Sequence, residues 1–186
     1  MTMAGDRLRC FVALTLDRAS RDALAALPVA AGARRTSRDQ LHVTIAFLGA
    51  VERAKSEQLG ARLAELAAVD AVPTVDVERV VCWPSTAHAR LVVAELAPQP
   101  QLLALGDRVG GALRELGLPP DSRAFKPHVT IARFPRDAHR VAVDSANDAA
   151  SGMPLALRFE TLTLYESILA RPGAEHRVLA SAALRG

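Results

Sequence analysis

Apolar residues in this chain gather in short runs, separated by stretches where they return every third or fourth position, the two patterns that distinguish strands from helices. Residues 9–16 (RCFVALTL), 41–49 (LHVTIAFLG), 90–96 (RLVVAEL) and 127–135 (PHVTIARFP) predict strands. So do residues 74–83, where Val75, Val77, Arg79 and Val81 share one side, and residues 155–165, where Leu162 and Leu164 alternate with Thr161, Thr163 and Tyr165. Helical spacing covers residues 18–27, 54–68 and 101–116, the last through Leu102, Leu105, Val109, Leu113 and Leu116, with Gly117 and the Pro119-Pro120 pair as its stop. A fourth helix is expected over residues 141–149, and residues 34–40, 98–101 and 117–126 read as loops.

The string HVTIA occurs twice, beginning at His42 and at His128, close to half the chain apart. Each copy follows an Arg-led apolar run and a helix, and precedes a helix and a strand, so the order β, α, β, α, β repeats. Duplication is the economical explanation. It predicts one domain over residues 1–186 with an α+β, bilobal architecture: two pseudo-twofold related, mainly antiparallel sheets, helices on their outer faces, and a cleft between the lobes lined by the two HVT strands.

Strand alternation places His42 and Thr44 on one face and Val43, Ile45 and Phe47 on the opposite, core-facing side; His128 and Thr130 stand likewise against Val129 and Ile131. A twofold axis then brings two imidazoles and two hydroxyls into one pocket. Imidazole titrates near ~6.5, so one histidine can take a proton while the other gives one. Across a phosphorus centre, such a pair drives water in on one side and protonates the oxygen leaving on the other, while the hydroxyls bind the oxygens where charge accumulates. The rival chemistries lack their residues. Neither HVT strand offers a third metal ligand, and no phosphate-binding glycine loop or serine elbow is present, so neither a metal nor a nucleotide cofactor is expected. His88, His139 and His176 lack comparable context and default to the surface.

Charge and composition adjust this picture only slightly. The net charge is +3, and Lys55 and Lys126 are the only lysines among 23 basic residues, so the chain is rich in arginine, which grips phosphate bidentately. That balance permits a nucleic-acid partner without requiring one. Cys10 and Cys82 lie in apolar runs and read as buried free thiols. No run approaches the ~18 to 20 apolar residues of a membrane span, and Asp6, Arg7 and Arg9 stand where a secretory core would be apolar, so a cytoplasmic protein is expected.

Taken together, RCFVAL at residues 9–14, LHVTIAFLG, the Arg90-Leu91 strand, KPHVTIAR at residues 126–133 and LYES with Gly173 resemble the two-histidine phosphoesterase superfamily, specifically its RNA 2′,3′-cyclic phosphodiesterase branch, also called 2′-5′ RNA ligase. The resemblance covers nearly the whole chain. It implies a bilobal, metal-free enzyme that hydrolyses an RNA terminal 2′,3′-cyclic phosphate to a 2′-phosphate, with 2′-5′ ligation as a related activity; a monomer is expected. It makes His42 the proton donor and His128 the proton acceptor, with Thr44, Thr130 and Arg133 as phosphate ligands. Strict alternation turns Arg133 away from His128, so it reaches a phosphate only where the strand ends or bulges. Phe11 is either core or a platform beneath a nucleobase. Arg35 and His176 replace aromatic residues frequent in the family, which points to altered base contacts at the cleft rim. Two other readings stay open: a sister enzyme for a small cyclic nucleotide or an ADP-ribose cyclic phosphate, and a non-catalytic module that binds RNA ends.

Overall fold

The computed structural model describes residues 7–68, 74–118, 124–135, 155–169 and 174–184. In chain order these form β1 (Arg7–Leu16), α1 (Arg18–Ala26), β2 (Arg34–Arg35), a 3-10 turn (Arg38–Gln40), β3 (His42–Glu52), α2 (Arg53–Ala67), β4 (Val75–Trp83), β5 (Leu91–Leu96), α3 (Pro100–Glu115), β6 (His128–Arg133), β7 (Ala156–Leu157), β8 (Phe159–Leu169) and β9 (Ala174–Ala183). The three helices lie within a residue of their predicted ends, and local chemistry explains where they stop. Asp17 caps α1 by accepting from the Ser20 N–H at 2.7 Å, an interaction worth ~1 kcal/mol. Pro100 opens α3 at a position where its missing N–H costs nothing. At the other end Gly117 takes a φ of +66°, which lets the Leu118 N–H reach the Leu113 carbonyl and the Gly117 N–H reach Arg114.

Three strand expectations change. The segment read as a loop at residues 34–40 contains β2, paired to β6. The run at residues 155–165 divides into β7 and a longer β8. The alanine-rich β9 pairs with β8 although its composition offers little strand signal. The helix expected at residues 141–149 lies outside the described residues.

All sheet pairings are antiparallel, in the order β7-β4-β5-β6-β3-β1-β8-β9. The two half-sheets expected from the repeat meet edge to edge at β3 and β6, whose ladder is the single pair Val43 and Val129. One lobe holds β3, β1, β8 and β9; the other holds β6, β5, β4 and β7. These lobes are not the two halves of the sequence. The strand that closes the first repeat unit, β4, pairs in the lobe of the second HVT strand, and its counterpart in the second unit, β8, pairs in the lobe of the first.

The core lies on the sheet face that carries Leu8, Val12, Leu14, Val43, Val129, Leu162 and Leu164. Helix α2 packs there against β9, β8, β1 and β3, and α3 packs against α2 and β3. Leu59 and Leu63 of α2 and Leu102, Leu105, Val109 and Leu113 of α3 are fully buried, each leucine contributing about 1.5–3 kcal/mol by leaving water. Helices on this face leave the opposite one open for chemistry.

Candidate active site

The two HVT strands run side by side through the centre of the sheet and present the same local device twice. The His42 Nδ1–H donates to the Gln40 carbonyl at 2.7 Å, and the His128 Nδ1–H donates to the Lys126 carbonyl, also at 2.7 Å. A carbonyl can only accept, so each bond fixes the proton on Nδ1 and leaves Nε2 as the nitrogen able to take or give one. Thr44 and Thr130, two residues on, are half-buried on the same face as their histidines.

Bulges then break the alternation. Along β1 and β3, Ala13 pairs with Thr44 and Val12 with Ala46, leaving Ile45 without a partner. Along β5 and β6, Val93 pairs with Thr130 and Val92 with Ala132, leaving Ile131 as the extra residue. Each bulge shifts the parity of the residues after it. Arg133 therefore comes round to the histidine face, and its charge lowers the proton affinity of His42, His128 and His176 alike. The same shift corrects the placement of Phe47. It is not in the core but 52% exposed on the open face, with its ring centroid 6.2 Å from that of Phe11.

Register also shows which residues correspond across the lobes. Thr15 pairs with His42 where Glu95 pairs with His128, and Phe11 pairs with Phe47 where Leu91 pairs with Arg133. The counterpart of Phe11 is thus Leu91, not the Val92 that alignment on the leading arginines suggests, because strand pairing rather than the flanking charge sets the register. One strand further out, Tyr165 corresponds to Trp83 and Thr161 to Arg79.

Around His42 the site is aromatic and neutral. Phe11 stacks on Tyr165 at 5.2 Å, meets His176 edge-on at 4.9 Å and lies 5.1 Å from His42. Only 4% exposed, Phe11 is a buried support rather than an open platform; Tyr165, His176 and Phe47 cover it. His176 is not a detached surface residue. It is half-buried with its ring 5.3 Å from His42, and the Gln40 side chain ties the start of its strand to the turn that fixes His42 by donating to the Ala174 carbonyl at 3.0 Å. Beyond these rings the hydroxyls of Thr15, Thr161, Thr163 and Ser181 form an unbroken chain with spacings of 2.6, 2.8 and 2.9 Å.

Around His128 the site is charged. Trp83 lies 4.3 Å from the His128 ring, and its indole N–H donates to Glu95 at 2.8 Å. Arg79 holds the same carboxylate at 2.5 Å. Sequence reasoning does not bring Trp83, Glu95, Arg79 and Tyr165 to the site. Their only available signal is alternation within strands whose partners the sequence does not specify. Arg35 lies away from the rim, where it caps the end of α1 by donating to the Ala25 and Leu27 carbonyls at 2.9 Å each. Its neighbour Arg34 pairs with Arg133 instead.

Burial, more than any neighbouring charge, pushes the His42 imidazole down to about 4, with the nearby positive groups adding to the effect and the Gln40 carbonyl opposing it. His128 is lowered too, again chiefly by burial, but the Lys126 carbonyl and Glu95 pull the other way. Both buried thiols, Cys10 and Cys82, are free; burial pushes Cys10 up to about 11 and raises Cys82, which leaves them unreactive. Among the described residues no His, Cys, Asp and Glu side chains cluster in a group of three or more able to hold a metal ion.

The arrangement can therefore hold an anion between two imidazoles, two hydroxyls and a guanidinium. The chain is similar to known proteins in sequence and in fold. The chain is 30% identical to the RNA 2′,3′-cyclic phosphodiesterase of Archaeoglobus fulgidus over 140 residues, 73% of this chain and 77% of that one. It is 27% identical to the protein of the same name from Aeropyrum pernix over 154 residues, 76% and 80% of the two chains. Among solved structures, TT0787 of Thermus thermophilus superposes with a TM-score of 0.72 at 25% identity over 96% of this chain and 99% of that one. E. coli LigT complexed with 3′-AMP gives 0.71 at 26% identity over 97% and 100%. The model of the 2′-5′ RNA ligase superfamily matches residues 16–168, a span that takes in both HVT strands and the bulges within them, and the chain belongs to that superfamily.

Proposed function

We propose that this protein is an RNA 2′,3′-cyclic phosphodiesterase whose two halves arose by duplication and whose chemistry needs no metal. The observation that carries the reading is the doubled His-x-Thr device, with each Nδ1 tied to the carbonyl two residues upstream and each Nε2 free to exchange a proton. The names of the two curated relatives point to the same substrate class.

In the proposed step a water on the His128 side attacks phosphorus as His128 Nε2 takes its proton. The bond from phosphorus to the 3′ oxygen breaks on the opposite side, and His42 Nε2 gives that oxygen a proton. The phosphate remains on the 2′ oxygen. Thr44, Thr130 and Arg133 bind the non-bridging oxygens, whose charge grows in the transition state. Phe11 supports His42 from below. His42 must be protonated before it donates, and its low proton affinity makes the substrate's own negative charge part of the mechanism. With a 5′-hydroxyl in place of water, the same step joins two RNAs through a 2′-5′ linkage.

The test is product analysis on a short RNA ending in a 2′,3′-cyclic phosphate, with the chelator EDTA present throughout. The expected product resists an enzyme that removes only 3′-phosphates. A 3′-phosphate product would reverse the orientation of the substrate, and absence of turnover until metal is restored would overturn the mechanism.

A further inference from the structure

The two histidines are equivalent in backbone and tautomer, so something else must assign them opposite roles. The strongest difference within reach of either ring is the residue paired with it on the neighbouring strand: Thr15 beside His42, Glu95 beside His128. The Thr15 hydroxyl is engaged by Thr161 at 2.6 Å. The Glu95 side chain, 18% exposed, accepts from the Trp83 indole through one oxygen and from Arg79 through the other. Both bonds hold the carboxylate on the open face of the sheet, and the indole it anchors packs on the His128 ring at 4.3 Å.

We propose that Glu95, clamped between Arg79 and Trp83, is the positioning residue that makes His128 rather than His42 the proton acceptor. A carboxylate held near an imidazole stabilises its protonated form, whereas a hydroxyl does so much less. His128 is then the stronger base of the pair, and protonated His42, buried without a carboxylate beside it, is the stronger acid. Once the substrate's charge has protonated His42, these affinities favour both proton transfers within the step, from water to His128 and from His42 to the leaving oxygen. The other charged and titratable groups around His128 do not supply this bias. Arg133 on its own strand opposes protonation, His42 across the cleft is itself lowered by His128, Arg34 stands beyond Arg133, and Arg79 holds the Glu95 carboxylate. Trp83 contributes alignment: its ring and the Lys126 carbonyl restrain the imidazole from two directions. This assignment rests on the proposed two-histidine mechanism, but its electrostatic content can be measured without turnover.

The experiment follows the side-chain resonances of the five histidines by NMR through a pH titration of the whole protein. Three forms are compared: wild type, Glu95→Gln, which keeps an acceptor for the Trp83 indole while removing the charge, and Arg79→Gln at a site whose side chain is 62% exposed. Glu95→Gln is expected to lower the His128 midpoint and leave that of His42 in place. Arg79→Gln is expected to raise the His128 midpoint, because it removes a cation and frees the carboxylate from it. In parallel, kcat/KM is measured on a 2′,3′-cyclic nucleotide. Because His128 has the higher proton affinity of the pair, its titration sets the alkaline limb of the profile, which should move to lower pH in Glu95→Gln. The loss of activity at the optimum should be smaller than the roughly 100-fold or more expected on removing a general base outright. An unmoved His128 midpoint in Glu95→Gln, or shifts of the same sign in both variants, overturns the role of Glu95. Wild-type protein inert towards cyclic phosphates would instead refute the functional reading, while the titration still decides what Glu95 does to His128.

Discussion

The lobe around His42 and the lobe around His128 share strand order, tautomer and a bulge within the HVT strand, yet differ at the open-face positions around the shared motif. His42 is bordered by Phe11, Tyr165, His176 and a chain of neutral hydroxyls. His128 is bordered by Trp83, Glu95 and Arg79, and Arg133 stands where the first lobe has Phe47. Backbone geometry thus supplies what the two histidines have in common, and side chains on the neighbouring strands supply what separates them. A symmetric pair would bind the substrate equally well in either sense. In the proposed reaction, an asymmetric one selects a single bond to break.

The sharpest way to break the comparison is to remove one imidazole at a time. His42→Ala and His128→Ala should each lower kcat/KM by ~10²- to 10⁴-fold, with circular dichroism unchanged, since the proposed step has each of them exchange a proton. Near-normal activity in one folded variant would mean that the lobes do not share the chemistry. Next in size is Arg133→Phe, which copies the first lobe's residue into the second. Loss of the guanidinium should cost roughly 100-fold in kcat/KM, the scale of one oxyanion-binding donor, and restoration by Arg133→Lys should be incomplete because the bidentate fork is gone.

Acid stability separates the histidines by a different route. Both fold with proton affinities below their ordinary value of ~6.5, so the unfolded chain binds more protons and stability falls as pH drops below that value. For His42 the loss continues down to about 4. Urea denaturation at stepped pH should show a shallower acid dependence in His42→Ala than in His128→Ala, since the deeper depression belongs to His42. The smallest effect is expected from Phe47→Ala. At 52% exposure this ring supports little of the fold, and Tm should move by less than about 2 °C in a thermal melt.

Much of the site is legible in the sequence because its key element is local. The identity of the two HVTIA strings, with alternation inside each, brings out His42, Thr44, His128 and Thr130 from one sequence. Helix ends are legible for the same reason, since Asp17, Pro100 and Gly117 act within a few residues of themselves. The illegible part depends on register between distant segments. A bulge inserts one residue with no mark in composition, so alternation alone puts Phe47 in the core and brings Arg133 to the histidine face only conditionally. Glu95 and Trp83 belong to strands that look like ordinary core and edge, and their nearness to His128 comes from a pairing that no local pattern records. His176 sits on β9, whose many alanines and charged residues conceal a strand that is held in place by its neighbour β8.

The exchange of β4 and β8 between the lobes bears on how the molecule can be divided. A cut between β4 and β5 separates the chain near the boundary of the repeat, yet each fragment would carry away a strand that belongs to the other's lobe. Neither fragment contains a complete lobe. The first would expose the edge of β1 that β8 normally covers, and the second would expose the edge of β5 that β4 covers, both ready templates for unwanted pairing. Two such fragments, mixed, have one arrangement that satisfies both edges at once, and it rebuilds the cleft with both histidines facing it. Mixing the two fragments is therefore expected to restore activity that neither has alone, because the order of the strands interlocks them.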